Sequence, residues 1–463
     1  MNIIRYIVIL LFQIAGTAAA FGMPLSAIRV VDAEETDSLS SDSLCADTIV
    51  TLTLPEKLDS IFRDKLLQTS QIGFMAYDLT ADTLLYAHNE HQTMRPASTM
   101  KLLTAIAALD RLGGSYRYAT SLKADGNIYI GEDGDEESLT LAGNVIVAGG
   151  MDPCFGSDDM HAFIDAIRRE HVDTIYGEAL ADMSFKEPVL LGEGWCWDDD
   201  NPVLTALPWN RKDIFMQKFK TMLSDAGIVL LMPQQETDTL MLSDTINSEC
   251  SAQSAMPVVP PFMRGKKISS ADAICCTRYH TIGQILMRMM KRSDNLYAES
   301  LFYHLAAAKR RPAKAEYAAD IMKKLLQKIG VTHTNYRIAD GSGLSLYNYQ
   351  TADMQIRLLR YAYQNANIFE HLYPSLPIAG VDGTLQKRMR NTICHDNVRG
   401  KTGTLTGISS LSGYLTAANG NVIAYAIINQ GVMRAAHAKT MQDRICQALC
   451  EYNKDTFLED IGR

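Results

Sequence analysis

The chain has 463 residues, of which 47% are hydrophobic and 21% charged, with a formal net charge of −9. That is the balance of an ordinary globular protein with room for two or more domains. No long basic run is present, which argues against nucleic acid as a partner and against a polybasic membrane anchor.

The first twenty residues, MNIIRYIVILLFQIAGTAAA, carry one Arg, an apolar stretch from Tyr6 to Ile14 and a small-residue end at Ala18-Ala19-Ala20. They read as a secretory signal peptide (1–20), too short in its apolar part for a membrane span. Export follows as the expectation. No other segment is apolar and long enough to cross a bilayer, although peripheral association with a membrane is compatible with the sequence. Residues 21–50 include AEETDSLSSDSLCAD, acidic and Ser-rich, and read as a leader without a packed core.

From Ile72, IGFMAYDLTADTLLYAHNE alternates apolar and polar residues around a Thr-Ala-Asp turn, the pattern of a β-hairpin. Arg95-Pro96 breaks the chain, and an apolar helix runs from Ser98 to Gly113-Gly114. These elements form the first part of a divided domain (51–114). Residues 115–265 differ in texture: short alternating runs (SLKADGNIYIG, LTLAGNVIVAGG) with Asp-Gly and Gly-Asn turns, and one helical stretch (HAFIDAIRREH). They predict an inserted, mostly β lobe, with PVVPPFMRGKK as its exit. Helical periodicity returns in TIGQILMRMMKRS, LYAESLFYHLAAAKR, AEYAADIMKKLLQKIG and TADMQIRLLRYAYQN. GISSLSGYLTAANGNVIAYAIINQG is a pair of strands joined through Asn419-Gly420, and a last helix closes the chain. Residues 266–463 are thus the second part of that domain. The expected architecture is α/β (α+β): N-terminal hairpin and C-terminal strands in one antiparallel sheet covered by helices, with the lobe inserted.

The chain has nine cysteines, an odd number, and none forms CxxC. One or two disulfides are compatible with export, their pairing unreadable from sequence. Cys446 and Cys450 share a helix face and fit apolar packing. No metal or other cofactor is expected, because His88 and His91 lack an HExxH context and the remaining histidines are scattered.

Three short motifs occur in order. Ser98-Thr99-Met100-Lys101 is S-x-x-K, Ser293-Asp294-Asn295 is S-D-N just after a helix, and Lys401-Thr402-Gly403 is K-T-G entering a C-terminal strand. Each alone is weak; the ordered set is the signature of penicillin-binding proteins and class A β-lactamases. The spacing has a chemical reason. A serine hydroxyl needs a base to become a nucleophile, and residues i and i+3 of a helix share a face. Lys101 therefore reaches Ser98, and burial plus a second cation, for which Lys401 is the candidate, lower a lysine pKa. The N–H groups of Ser98 and Thr404 are the candidate oxyanion donors. Asp294 has a structural role as its simpler reading.

The chain resembles the low-molecular-mass class C penicillin-binding proteins, the secreted D-alanyl-D-alanine carboxypeptidase/endopeptidase type. Beyond the three motifs the resemblance rests on GGMDP (149–153), GWCWDD (194–199), SDNLYAE (293–299), ADGSGLS (339–345), LPIAGVDGTL (376–385) and GKTGTLTG (400–407). It implies a transpeptidase/β-lactamase-like domain acting on peptidoglycan stem peptides, with β-lactam antibiotics as covalent inhibitors. It implies Ser98 as the acylated nucleophile, Lys101 as its base, Ser293 as the proton relay to the leaving amine and Asn295 as a holder of the substrate amide. Lys401, Thr402, Gly403 and Thr404 would bind the substrate carboxylate and strand edge. In the family an acidic residue of the inserted lobe meets the amine of the diamino acid; Asp182 is the match, with Phe185 as an apolar wall at shorter spacing than usual. The insert is shorter than in well-known members, so a third small domain is not expected. A β-lactamase and a non-catalytic penicillin-binding sensor or scaffold stay open as alternatives.

Overall fold

The structure, a computed structural model, describes residues 52–130, 139–232 and 266–453. The expected signal peptide and leader lie outside the described residues, as does most of the exit linker. No helix among the described residues is long and apolar enough to cross a membrane.

The chain enters through α1 (Leu54–Phe62), started by a Thr53–Glu56 capping box. Strands β1 (Gln71–Asp78) and β2 (Thr83–His88) form the expected hairpin. Its turn is held by Asp78, whose carboxylate accepts from Thr80 N at 3.0 Å and Ala81 N at 2.8 Å. Helix α2 (Met100–Leu112) follows a 3₁₀ turn at Ala97–Thr99 and ends at Gly113. At the other end of the chain, β12 (Arg399–Leu405), β13 (Ile408–Thr416) and β14 (Val422–Gln430) pair antiparallel, and β14 pairs with β1. The result is one five-stranded antiparallel sheet in the order β12-β13-β14-β1-β2, as expected.

Alternation along β14 puts a different core on each face. Ile423, Tyr425 and Ile427 join α1 and the closing helix Ala435–Cys450 in one cluster. Ala424 and Ala426 face the helical cluster that contains α2. Cys446 and Cys450 are buried in the first of these cores, consistent with apolar packing.

Between the two catalytic parts lies the lobe. Its strands are β3 (Arg117–Ala124), β4 (Asn127–Ile130), β5 (Leu139–Ala142), β6 (Val145–Ala148), β7 (Val172–Tyr176), β8 (Ala179–Asp182), β9 (Val229–Leu231), β10 (Lys267–Ser270) and β11 (Cys275–Thr281). They form two sheets, β10-β4-β5-β7-β9 and β11-β3-β6-β8. Helices α3 (Ser157–Arg168) and α4 (Phe215–Asp225) pack with them around a separate core. The Asp-Gly and Gly-Asn turns do not close hairpins: β3 and β4 lie in different sheets, as do β5 and β6. Instead the two turns lock onto each other, Asp125 N donating to Asn144 O at 2.9 Å and Asn144 N to Asp125 Oδ1 at 2.6 Å.

The lobe's sheets continue through β10 and β11, past the boundary expected at 265. β11 pairs with β3 along its whole length, from Arg117–Thr281 to Lys123–Cys275. Its residues alternate between exposed and half-buried without a buried apolar face, so the hydrophobic pattern of a strand is missing there.

Helices α5 (Ile282–Lys291), α6 (Asn295–Lys309), α7 (Ala315–Lys328), α8 (Ala352–Gln364) and α9 (Ala366–Ser375) complete the catalytic domain.

Candidate active site

Ser98 sits in the 3₁₀ turn that leads into α2, and Thr99 rather than Ser98 occupies the cap position. The turn is pinned from several sides. Pro96 O accepts from Ser410 Oγ at 2.6 Å and from Thr99 Oγ1 at 2.8 Å. Ala97 is held at φ 49°, a left-handed conformation costly for a residue with a Cβ. A Cβ at Gly403 would lie 2.9 Å from Ser98 N and 2.1 Å from Ser410 Oγ. Glycine is therefore what lets the K-T-G strand press against the serine turn.

Lys101, the second residue of α2 and three residues on from Ser98, is fully buried. Its Nζ lies 2.9 Å from Ser98 Oγ, 2.8 Å from Asn295 Oδ1 and 2.7 Å from Ser342 O. The last two can only accept. A neutral amine in this position gives its two hydrogens to them and turns its lone pair to the Ser98 hydroxyl, which then donates. Burial takes Lys101 down to about 8, against the opposing pull of the Asp340, Glu299 and Asp294 carboxylates. Lys401 is also buried and donates to Ser293 Oγ at 2.8 Å. Burial, and after it the charge on Lys101, hold Lys401 well below its ordinary value. The expected depression of Lys101 by Lys401 thus gives way to burial as the main cause, with the mutual repulsion weighing on Lys401.

The S-D-N stretch bridges α5 and α6. Ser293 has φ 59°, which turns its hydroxyl to Lys401. Asp294 caps α6, accepting from Leu296 N at 3.1 Å and pairing with Arg288 at 3.3 Å; its role is structural. Thr402 Oγ1 bonds Thr384 Oγ1 at 2.7 Å, and Thr404 is exposed on the edge strand β12.

A loop that sequence reasoning quoted without assigning a task supports this group. Asp340, 1% exposed, accepts from Gly343 N at 2.7 Å, Ser345 N at 2.6 Å, Asn348 Nδ2 at 2.7 Å and Trp195 Nε1 at 2.9 Å. Gly343 has φ +82°, and a Cβ there would lie 1.9 Å from Ala97 O, so the loop lies flush on the serine turn. The signal in the sequence was the acid heading a Gly/Ser turn, D-G-S-G.

The site opens into a cleft of ≈ 610 Å³ walled by Ser293, Asn295, Thr404, Asp199, Asp200, Arg211 and Arg292, among others. Neither Asp182 nor Phe185 lines it. Asp182 is exposed at the end of β8, its carboxylate accepting from Ser184 N at 2.9 Å, and that hydroxyl and N–H hold its carboxyl below the usual range. Phe185 is 4% exposed, packed on His304 and beneath the Arg311 guanidinium. It is a core residue, and the expectation of an apolar substrate wall there is corrected. The acids of the lobe that do reach the cleft are Asp199, the last residue of GWCWDD, and Asp200, which follows it; the run of acids was visible in the sequence.

Fold and lysine–serine pairing together define the class, a serine peptidase with a transpeptidase-like catalytic domain. The chain belongs to the D-Ala-D-Ala carboxypeptidase 3 (S13) family, whose model matches residues 54–255 and 261–452. That places it among peptidases. D-alanyl-D-alanine carboxypeptidase DacB of Haemophilus influenzae is 26% identical over 418 residues, spanning 78% of this chain and 85% of the relative. A D-alanyl-D-alanine carboxypeptidase of Actinomadura sp. strain R39 is 26% identical over 467 residues, spanning 86% and 85%. In three dimensions the chain is similar to penicillin binding protein 4 (dacB) from Haemophilus influenzae, with TM-score 0.68 and 22% identity over 85% of this chain and 99% of that one, a likeness of fold.

Proposed function

We propose that the protein is a periplasmic serine D-alanyl-D-alanine carboxypeptidase that cuts peptidoglycan stem peptides through an acyl-enzyme on Ser98. The observation that carries this is Lys101 Nζ, held at 2.9 Å from Ser98 Oγ with two pure acceptors on its other sides.

The substrate strand lies along the outer edge of β12 from Lys401 onward, past the Gly400 N–H that Pro377 O takes, and adds its backbone hydrogen bonds to the sheet. Neutral Lys101 takes the proton as Ser98 Oγ attacks the carbonyl of the penultimate D-Ala. The N–H groups of Ser98 and Thr404 receive the oxyanion. Ser293, held by Lys401, relays the proton that Lys101 took from Ser98 to the departing amine of terminal D-Ala, which restores neutral Lys101, and Asn295 holds the peptide amide. Lys401, Thr402 and Gly403 form the seat for the terminal carboxylate. Water then releases the acyl group and restores Ser98. A cross-link amine leaving instead of D-Ala makes the same steps an endopeptidase reaction. The mixed charges of Asp199, Asp200, Arg211 and Arg292 on the cleft wall suit a peptide bearing both amine and carboxylate groups.

A β-lactam presents the same carbonyl but keeps its leaving group attached, so it should remain on the serine. A fluorescent penicillin should label the wild-type chain, with the adduct on Ser98 by peptide mapping, and S98A should not be labelled. Equal labelling of S98A would overturn the assignment. Release of D-Ala from a labelled muropeptide, followed by mass spectrometry, tests the peptidase step; a chain that is labelled yet releases nothing from any stem peptide is a penicillin-binding sensor.

A further inference from the structure

Glu299 has no place in the acylation steps, yet it lies at their centre. It is one turn along α6 from Asn295, so the two share a helix face, and it is 1% exposed. Its Oε1 accepts from Gly341 N at 3.1 Å and Ser342 N at 2.7 Å, and its Oε2 from Gly341 N at 3.3 Å. The carbonyl of the same Ser342 takes Lys101 Nζ, and the carbonyl of Gly341 accepts from Thr104 Oγ1 at 2.6 Å. The Gly341–Ser342 turn is therefore gripped between α2 and α6, with Glu299 as the grip on the α6 side.

Among the described residues no cation pairs with the Glu299 carboxylate. The groups that face it are Lys101 on α2, Asp340 in the loop, and Tyr303 one turn further along α6. Beyond them Lys401 on β12 and Asp294 at the start of α6 complete the charges around Lys101. Glu299 and Asp340 also line a cavity of ≈ 210 Å³ with Glu187 and Glu193, and none of Ser98, Lys101, Ser293, Asn295 or Lys401 lines it. Glu299 thus borders a second space, separate from the substrate cleft. Both of its oxygens receive N–H bonds, which favours the carboxylate over the acid.

We propose that Glu299 is a positioning residue of the acylation site: it holds the Ser342 carbonyl against Lys101 and supplies the buried negative charge that sets the pH at which Lys101 becomes a free base. Burial and Asp340 push Glu299 up to about 8, while burial brings Lys101 down to about 8, so both change charge within one pH window. The sign follows. A carboxylate near an ammonium favours the charged lysine; without it, Lys101 loses its proton at lower pH.

This inference rests on the proposed acylation of Ser98. The test is the rate of labelling by fluorescent penicillin between pH 5.5 and 9.5 for the wild type, E299Q and E299D, with thermal unfolding of each. E299Q keeps the two Oε1 bonds and removes the charge. Its acid limb should reach half-plateau at lower pH, the gap from the wild type being widest near pH 8, about threefold relative to its own plateau, and closing toward pH 6, where Glu299 is itself protonated. E299D keeps the charge but withdraws the carboxylate; its limb should stay near the wild-type position while its plateau falls about tenfold or more. A folded E299Q with the wild-type limb overturns the proposal, and so does E299D with the wild-type plateau. Failure of both variants to fold assigns Glu299 to stability alone and overturns it too. A wild-type chain that is not labelled overturns the acyl-enzyme reading itself, which separates the two failures.

Discussion

Replacing Asp340 by Asn should destabilise the protein severely while keeping its shape at that position almost unchanged. The carboxylate receives four N–H bonds of 2.6–2.9 Å, two on each oxygen: Gly343 N and Asn348 Nδ2 on Oδ1, Ser345 N and Trp195 Nε1 on Oδ2. An asparagine has one oxygen. Whichever way its amide turns, an NH₂ group meets two donors, and two bonds are lost with their donors left inside the protein. At about 1–3 kcal/mol for each unsatisfied buried group, the cost is about 2–6 kcal/mol. That is a large part of the ~5–15 kcal/mol that holds a typical domain together. Trp195→Phe removes one donor and leaves three bonds on the carboxylate, so it should cost only about 1.5 kcal/mol. Urea unfolding of the full chain, followed by circular dichroism, measures both. A D340N loss within about 0.5 kcal/mol of the W195F loss would refute the bond-by-bond reasoning. Because the same loop carries the Ser342 carbonyl, D340N protein that does fold should also acylate more slowly.

Other outcomes follow from the site. Acylation of the wild type should fall about tenfold per pH unit below about 8, since Lys101 acts only when neutral; a rate flat between pH 6 and 8 would place the base elsewhere. Gly403→Ala sets a Cβ 2.9 Å from Ser98 N and 2.1 Å from Ser410 Oγ, so it should cut penicillin labelling at least tenfold with a small change in Tm; full labelling would show that the strand yields. Lys401→Ala frees Ser293 from its 2.8 Å contact and should slow cleavage of peptides ending in a free carboxylate more than of the same peptides amidated, read by mass spectrometry; equal losses would mean that Lys401 only positions Ser293.

The reacting groups were legible because their chemistry demands fixed spacings. An i, i+3 serine and lysine on a helix cannot avoid each other, and the alternation in IGFMAYD and NVIAYAIINQG admits only strands with two packed faces. The supports were harder to read. Asp340 and Glu299 act through backbone N–H groups far from them in sequence, and nothing in D-G-S-G or in Leu-Tyr-Ala-Glu states which turn meets which helix. Glu299 was still within reach, since it follows Asn295 by one helical turn. Phe185 misled because spacing within a loop fixes no direction; an apolar ring close to the buried Lys186 goes to the core. The lobe's turns signalled reversals of the chain, but a turn residue does not say whether the next strand returns to its own sheet or crosses to another. β11 escaped because Cys-Cys-Thr-Arg-Tyr-His-Thr has no apolar face to betray it.

The pairing of β3 with β11 bears on how such a protein comes to exist. The chain leaves the catalytic domain at Tyr116 and returns at Ile282, whose N–H donates to Tyr116 O at 2.9 Å. From the domain's side, everything between those residues occupies the place of a single tight turn joining α2 to α5. The strands of that excursion can change in length without moving any strand of the host sheet, provided that Phe185, packed on His304, and Trp195, which donates to Asp340, stay seated in the host. The outer strands of the lobe and the host sheet are therefore free to diversify at separate rates, with those two contacts held in common.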